Sequence, residues 1–346
     1  MSARLKIGLI GFGRMGQLYA RTLAAQTTGV QLSAVAESDQ RLLATLEQEF
    51  SVPHVFTDAH ELITLAELEA VVIATPTRTH AELVITAAQA GKAIFCEKPL
   101  ALTLEETHTV LDTVAHAHVP LQVGFMRRFD SAYQRAKTFI AEGKIGRPVT
   151  FKSIGRDPFC PRKEYADPAQ SGGLIIDMAI HDFDLARWLM GSEVERVSAE
   201  GTLLVCEQIR EVGDIDNAVI NMRFTNGALG NVEVSRNAFY GYDIRTEVLG
   251  SDGAVTIGAH QYTPVVLLTG SGAQHDVMPY LMERFGEAYR AQMQHFADCL
   301  RSGQHPSVSG TDALAALEIG VAATRAYQTG QPVMLSELRR SPEDPR

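Results

Sequence analysis

The chain has 346 residues, of which 45% are hydrophobic, and its formal net charge is −10. The composition is that of a globular protein, and the length favours two domains at roughly 100–200 residues each. An acidic chain without a run of basic residues lacks the footprint of a nucleic-acid-binding protein. No segment approaches the ~18 apolar residues of a membrane span, and the N-terminus has no signal-peptide pattern. We therefore expect a cytoplasmic protein with neither a nucleic-acid partner nor a membrane partner.

The first 125 residues alternate short, continuously apolar runs with longer segments of helical pattern. Such runs are typical of a parallel sheet covered on both faces, and the alternation predicts a doubly wound α/β domain. The predicted strands are 5–11, 30–37, 70–75, 92–97 and 120–125. The predicted helical segments are 14–26, 40–50, 77–91 and 102–117.

The pattern changes after residue 125, where strands begin to follow one another without intervening helices. Asn-Gly at 226–227 and Ser-Asp-Gly at 251–253 are turn signals between them. The second half therefore predicts an α+β domain with a mostly antiparallel sheet and helices on one face. Its predicted strands are 149–156, 194–204, 217–227, 228–238, 242–253 and 254–258. Its predicted helices are 131–142, 172–189, 282–302 and 311–329.

The four cysteines are scattered along the chain, and none has the spacing of a metal or redox motif. They are Cys96, Cys160, Cys206 and Cys299. We therefore expect reduced thiols, without a disulfide framework and without a metal site.

Residues 11–16, GFGRMG, form a G-x-G-x-x-G motif directly after the first strand and at the start of a helix. In that context the glycines allow a tight turn, the approach of a pyrophosphate and close helix packing. Glu37 ends the second strand, where a carboxylate accepts hydrogen bonds from the adenine ribose of NAD and repels the 2′-phosphate of NADP. The predicted NAD site comprises Gly11, Gly13, Arg14, Met15, Gly16 and Glu37.

Alternatives to an NAD site remain open. Ser38 and Arg41 would be able to hold a 2′-phosphate, which makes NADP the second candidate cofactor. A glycine turn that binds no ligand is another reading, and FAD is disfavoured because no second flavin motif follows.

Two polar segments follow predicted strands at the edge where a doubly wound sheet binds its cofactor. ATPTRTH at 74–80 brings Thr75 and His80 to this edge, and EKP at 97–99 brings Glu97 and Lys98. A lysine there would donate to a substrate hydroxyl and lower the pKa of that hydroxyl. The open alternatives are a strand-end turn with a threonine helix cap for the first segment and a surface salt bridge for the second.

The segment GGLIIDMAIHDFDLARWL, 172–189, has the apolar pattern of a buried helix. Asp177, His181 and Asp184 lie within about 60° of each other on such a helix, whereas Asp182 points away as a surface or packing residue. A histidine titrates near neutral pH and suits proton abstraction, and Asp177 one turn earlier would fix its tautomer. A core histidine bonded to Asp177 and a metal site on one helix face are the alternatives, the latter without a second ligand cluster.

Together these motifs resemble the glucose–fructose oxidoreductase, inositol dehydrogenase and MocA family over essentially the whole chain. The resemblance rests on GFGRMG, ATPTRTH, CEKPL, QVGFMRRFD and GGLIIDMAIHDFDLARWL in this order, and YGYDI is similar to inositol 2-dehydrogenases. It implies a Rossmann domain, 1–125, and a C-terminal domain, 126–346, whose large open sheet forms the interface of a tetramer. It also implies NAD-dependent oxidation of a polyol, with myo-inositol and 2-keto-myo-inositol as expected substrate and product.

The resemblance further implies roles for individual residues. Lys98 would contact the reacting hydroxyl beside a cis Lys98–Pro99 bond, and Asp177 and His181 would form the acid–base pair. The residues expected to line the polyol site are Arg127, Asp157, Asp184 and Tyr242. Asp157 stands where some inositol dehydrogenases carry Asn, and Glu37 where many relatives carry Asp, so the polyol isomer stays open.

Three rival readings remain. Within the enzyme class, the substrate would be scyllo-inositol, another isomer or an aldose. In a different class, the fold would serve a non-catalytic NAD-sensing protein, against which Lys98, Asp177 and His181 speak. For Arg127 and Arg128, plain surface charges are the alternative to a binding role.

Overall fold

The computed structural model describes residues 4–258 and 261–338, which form two compact units. The first comprises the chain up to Phe129 together with Glu287–Leu314, and the second comprises Asp130–Gly286 together with the chain from Ala315. The return of Glu287–Leu314 to the first unit is not predicted by the sequence, because a helical pattern does not say which sheet it packs against. The domain boundary after residue 125 stays a prediction.

The first unit contains a six-stranded parallel sheet, which confirms the predicted doubly wound fold. Its strands are β1 (Leu5–Ile10), β2 (Val30–Ala36), β3 (His54–Phe56), β4 (Ala70–Ile73), β5 (Ala93–Cys96) and β6 (Leu121–Val123). Their order in the sheet is β3-β2-β1-β4-β5-β6. Its helices are α1 (Arg14–Arg21, continued by a π-turn at Thr22–Gln26), α2 (Gln40–Glu49), α3 (Ala59–Ile63), α4 (His80–Gln89) and α5 (Leu104–Ala117).

The second unit contains a seven-stranded mixed sheet and a separate two-stranded hairpin. The strands are β7 (Pro148–Arg156), β8 (Val194–Thr202), β9 (Asn217–Phe224), β10 (Leu229–Ser235), β11 (Asp243–Gly250), β12 (Ala254–Ile257), β13 (Gln261–Thr269), β14 (Gly272–Val277) and β15 (Val333–Met334). The large sheet has the order β12-β11-β7-β10-β9-β8-β15 and is antiparallel except for β7 and β10, which confirms the mostly antiparallel prediction.

The helices that follow α5 in the described residues are α6 (Ser131–Ala141), α7 (Lys163–Ala166), α8 (Pro168–Ser171), α9 (Gly173–Met190), α10 (Leu281–Ser302) and α11 (Gly310–Thr329). They belong mostly to the second unit, but most of α10 and the start of α11 lie in Glu287–Leu314 of the first unit. In the described part of the chain, no helix combines the length and the apolar character needed to cross a membrane.

Helix α9 is the buried helix that the sequence predicts, and it packs against β7 and β10. It begins after Gly172 and ends before Gly191, both of which have a positive φ. Asp182 on this helix is fully buried and accepts a hydrogen bond from the Ser153 hydroxyl. A buried carboxylate requires such a partner, so Asp182 is a packing residue rather than a surface residue.

The face of the large sheet that turns away from α9 is open to solvent. Along β9, Ala218, Ile220 and Met222 are buried, while Val219 between them is exposed. Alternation of this kind is typical of a sheet with one packed face and one solvated face.

Cys160 and Cys206 form a disulfide bond with a sulfur–sulfur distance of 2.04 Å. The expectation of four reduced thiols is therefore wrong for this pair, whereas Cys96 and Cys299 are buried and unbridged. The bonded cysteines lie 46 positions apart and match no spacing motif, so the sequence pattern gives no sign of the pairing.

We expect reduction of this bond to lower the free energy of unfolding by about 2–4 kcal/mol, because a long cross-link restricts the unfolded chain. Urea titrations with and without a reductant measure the difference. The Cys160→Ser variant is the control, since its stability should be low in both buffers and insensitive to reductant. Equal stability of the oxidised and reduced wild-type protein would contradict the expectation.

Candidate functional site

The glycine turn after β1 has the geometry of a phosphate-binding turn. Gly11 has φ 92°, and a Cβ there would lie 2.7 Å from the carbonyl oxygen of Ala74. A Cβ on Gly16 would lie 2.0 Å from the carbonyl oxygen of Gly11, so both positions require glycine. A Cβ on Gly13 would meet nothing within 4 Å, and Gly13, the N-cap residue of α1, has no side chain with which to cap the helix. The turn thus leaves open space at a helix N-terminus, which fits the pyrophosphate of NAD.

Glu37 lies beside this turn. One carboxylate oxygen accepts the Phe12 N–H at 2.7 Å, and the other accepts the Asp39 N–H at 2.9 Å. The acidic end of β2 and the glycine turn are therefore in direct contact, as an adenine ribose site requires. The next residues of the turn, Arg14 and Met15, are exposed and half-buried respectively, at the start of α1.

Arg41, the candidate partner of a 2′-phosphate, is paired within its own loop. Its guanidinium donates to both oxygens of Asp39 at 3.1 and 2.7 Å, and this contact lowers the pKa of Asp39 to about 2. A 2′-phosphate would have to compete with Asp39 for Arg41 and would be repelled by Glu37. Both effects favour NAD over NADP.

We expect Glu37→Gln to lower the ratio of kcat/KM for NAD to that for NADP by about tenfold, an energy of about 1.4 kcal/mol. The amide removes the negative charge but keeps an acceptor for the Phe12 N–H. Initial rates with both cofactors measure the ratio. Glu61→Gln removes an exposed carboxylate and should leave it unchanged. An unaltered ratio in Glu37→Gln would remove Glu37 from the ribose site.

His80 joins the loop after β4 to the loop after β5. Its ring nitrogens lie 2.9 Å from the carbonyl oxygen of Thr75 and 2.7 Å from that of Pro99. The ring is buried, and burial lowers the pKa of His80 although the two carbonyl contacts oppose this shift. Both nitrogens thus face backbone, and the structure gives His80 the role of fixing two loops. Contact of His80 with the cofactor stays a prediction.

Glu97 is buried, which rules out the surface salt bridge considered for the EKP segment. It accepts hydrogen bonds from the Tyr19 hydroxyl and, at 3.0 Å, from the Lys98 N–H. Gln292 in turn donates to the Tyr19 oxygen at 2.8 Å. Burial and the Glu97 charge raise the pKa of Tyr19, so its hydroxyl stays protonated and acts as the donor. The Lys98–Pro99 bond is cis, as the resemblance implies.

Arg127 and Arg128 follow β6 in a short helical turn, and both are buried. The alternative that they are surface charges is therefore wrong. Arg128 donates to Asp312 at 2.9 Å, which gives it a structural partner. Binding of a substrate by Arg127 stays a prediction.

In the second unit, three residues lie next to the ends of neighbouring strands, all at the same end of these strands in the large sheet. Asp157 follows β7, Arg236 follows β10, and Tyr242 precedes β11. The pairing of β7 with both neighbouring strands keeps these positions together, and the Asp157 N–H donates to the Ser235 carbonyl at 2.9 Å. Tyr242 is buried and packs edge-on against Tyr280.

Helix α9 places Asp177, His181 and Asp184 on its inner side, and all three are buried. Asp177 accepts hydrogen bonds from the Tyr165 hydroxyl and from the Arg236 guanidinium, both at 3.3 Å. His181 lies one turn further along the helix and is 9% exposed. This arrangement offers a charged carboxylate and an imidazole for proton transfer. Within the described ranges, no three His, Cys, Asp or Glu residues are grouped so that they would hold a metal ion.

Five residues around these groups are not found by the sequence reasoning: Tyr19, Tyr165, Asp214, Arg236 and Gln292. None lies in a motif, and their partners are distant in the chain. The sequence feature that points to Arg236 is its position, since this charged residue directly follows the segment 229–235, in which apolar residues alternate with others.

Comparison with known proteins identifies the family to which the sequence belongs. Residues 5–125 match the model of an oxidoreductase family with an NAD-binding Rossmann fold, and residues 137–335 match the C-terminal α/β domain of the same family. The chain is 40% identical to scyllo-inositol 2-dehydrogenase (NAD⁺) from Bacillus subtilis, with 98% of each chain covered. It is 38% identical to myo-inositol 2-dehydrogenase from Thermotoga maritima, with 96% of this chain and 99% of the relative covered.

Among solved structures, the scyllo-inositol dehydrogenase of Lactobacillus casei with bound NAD(H) and scyllo-inositol has a TM-score of 0.91. It is 29% identical, and the match covers 96% of this chain and 99% of that one. Both halves of the sequence and both units of the fold thus lead to one conclusion. The chain belongs to the Gfo/Idh/MocA oxidoreductase family.

Proposed function

We propose that this protein is an NAD-dependent inositol 2-dehydrogenase that oxidises myo-inositol to 2-keto-myo-inositol. The observation that carries the proposal is the buried carboxylate of Asp177, held by two donors, one helical turn before His181. A protein that only senses NAD has no use for such a pair, because burying it costs stability without a reaction to serve.

The roles follow from the chemistry of a secondary alcohol, which must lose a proton from oxygen and a hydride from carbon. Bound NAD supplies the hydride acceptor. His181 takes the hydroxyl proton, and Asp177 stabilises the imidazolium that forms. The positive charge of Lys98 stabilises the negative charge that develops on the substrate oxygen. The side chains proposed to hold the remaining hydroxyls are Arg127, Asp157, Asp184 and Tyr242.

Scyllo-inositol is the second candidate substrate, because a 40% identical relative bears that name. The two isomers differ only in the configuration at one carbon, and oxidation of that carbon gives the same ketone from both. The direction from which hydride is delivered therefore decides between them. A polyol ring in a site lined by fixed polar groups is oriented by its other hydroxyls.

A panel of myo-inositol, scyllo-inositol and glucose, followed by NADH absorbance, tests the substrate. We expect kcat/KM to be highest with myo-inositol. Reduction of the shared ketone with NADH provides the control, since the configuration of the product reports the face of hydride delivery. Production of scyllo-inositol alone would identify scyllo-inositol as the substrate. No turnover with any polyol would contradict the proposal that the protein is a polyol dehydrogenase.

We further propose a cytoplasmic homotetramer. The open face of the large sheet supports assembly, because it exposes Val219, Leu229 and Leu249 among polar side chains. Light scattering of the purified protein measures the mass, and the mass of a monomer would contradict the proposed tetramer.

The proposed cytoplasmic location is based on the reaction, which draws on a cellular NAD pool. Disulfides rarely persist in a reducing cytoplasm, so trapping of the thiols at lysis tests the location, and a Cys160–Cys206 bond that is intact in the cell would contradict it.

A further inference from the structure

We propose that Arg236 is a positioning residue for the acid–base pair: its guanidinium bridges Asp177 and Asp214 and holds Asp177 as an oriented anion. The inference rests on the proposed function, in which Asp177 supports His181. Arg236 acts through its contact with Asp177 and not as a group that binds the substrate or the cofactor.

Arg236 is held in place on both its backbone and its side chain. Its N–H donates to the Asp216 carbonyl at 2.9 Å directly after β10. Its side chain is 2% exposed, with one terminal nitrogen 3.3 Å from Asp177 and the other 3.3 Å from Asp214. A charge buried to this degree is stable only when it is paired. The planar guanidinium presents one terminal nitrogen to each carboxylate in a fixed geometry, whereas the ammonium group of a lysine is a single point charge on a flexible stem.

Asp214 ties this bridge to the first turn of α9. Its second oxygen accepts the Leu174 N–H at 3.0 Å. A Cβ on Gly173 would come within 2.8 Å of the same oxygen, so the close approach needs glycine there. Burial raises the pKa of Asp214, while the Arg236 charge opposes that shift. Arg236 is thus linked to α9 at two points, through Asp214 and through Asp177.

The other oxygen of Asp177 receives the Tyr165 hydroxyl at 3.3 Å. The Arg236 guanidinium also lies 5.8 Å from the centre of the Tyr165 ring. Each carboxylate oxygen of Asp177 therefore has its own donor, and rotation of the carboxylate would break both contacts. The ionisable groups that face Arg236 are Asp177, Asp214 and Tyr165.

Loss of the guanidinium would leave two buried carboxylates without their counter-ion. Under these conditions at least one of them takes up a proton. Whichever of the two carboxylates is protonated, Asp177 loses the Arg236 donor that orients it. It then stabilises the imidazolium of His181 less, so proton abstraction becomes slower. The binding of NAD, which depends on the first unit, should be unaffected.

In the full-length protein we expect Arg236→Met to lower kcat on the order of 30-fold, part of the contribution of an acid–base catalyst. The NADH dissociation constant, from fluorescence titration, should stay within about twofold. The acidic limb of the kcat–pH profile should move to lower pH, because an Asp177 that is protonated or no longer oriented by Arg236 stabilises imidazolium less. Arg236→Lys keeps the charge, so it should lose about tenfold in kcat and keep the position of the limb.

Arg187→Met is the matched control: Arg187 lies on α9 itself, and the substitution breaks its 2.6 Å ion pair with Glu193, which follows the end of that helix. Its kcat and pH profile should equal those of the wild type. A lower melting temperature of Arg236→Met with unchanged kcat and pH profile would show a merely structural role and overturn the proposal. If Arg236→Met does not bind NADH, its kcat is uninformative and Arg236→Lys provides the test. An unchanged kcat in Arg236→Lys would then also overturn the proposal.

A further readout does not depend on turnover. The NMR titration of the His181 ring should have a lower midpoint in Arg236→Met than in the wild type, and an equal midpoint would contradict the bridge. An inactive wild-type protein in which this midpoint still moves would refute the proposed function but support the coupling of Arg236 to His181.

Discussion

His181→Ala should lower kcat by about 10²-fold or more, the usual effect of removing an acid–base catalyst. His181 lies on the buried face of α9, and its imidazole would be the proton acceptor near neutral pH. Alanine leaves a space without a base, so added imidazole should restore part of the rate. Stopped-flow and steady-state rates of NADH formation measure both effects.

Two comparisons make this result specific. His108→Ala, at an exposed position of α5, should leave kcat unchanged. The dissociation constant of NADH should be the same in both variants, because neither residue belongs to the predicted cofactor site. Near-normal kcat in His181→Ala would identify His181 as a packing residue of the core.

Lys98→Met should lower kcat by about 10²–10³-fold, the usual cost of losing a group that stabilises charge in the transition state. Methionine is an unbranched side chain one atom shorter than lysine, so the substitution keeps most of the stem and removes the ammonium group. Since the charge on the substrate oxygen develops during the reaction, kcat should fall more than KM rises. Steady-state rates over a range of polyol concentrations separate the two constants.

Lys6→Met provides the control for this variant. Lys6 forms a surface ion pair with Glu67, and such pairs contribute little. Its kinetic constants should match those of the wild type. A Lys98→Met protein with a raised KM and an unchanged kcat would show that Lys98 binds the ground state and does not act on the reacting oxygen.

The sheet of the first unit is predictable because its strands are continuous apolar runs, and their ends differ from the prediction by only a few residues. The exception is β3 (His54–Phe56), a three-residue strand without full burial that leaves no pattern in the sequence. The hairpin of β13 and β14 is also missed, since its apolar residues are exposed and do not alternate. Periodicity reports burial, so strands that are short or exposed escape it.

The residues of the candidate site also differ in how far the sequence predicts them. Glu37 and Lys98 are predictable because they stand at or just after the ends of predicted strands, whereas Asp157 is predicted only through the family resemblance. Arg236 is not predictable, since its partner Asp177 lies 59 positions away and no local rule joins them. The contact of Tyr19 with Gln292 spans 273 positions. Groups that support a site through the fold are visible only once the fold is known.

The hydrogen bond between Glu37 and the Phe12 N–H constrains how this protein can acquire a new cofactor during evolution. A lineage that replaced Glu37 by a small or basic residue would gain tolerance for a 2′-phosphate and would also leave a partly buried amide without its acceptor. That loss costs about 1–3 kcal/mol. We therefore expect variants that accept NADP through replacement of Glu37 alone to be less stable than the parent protein.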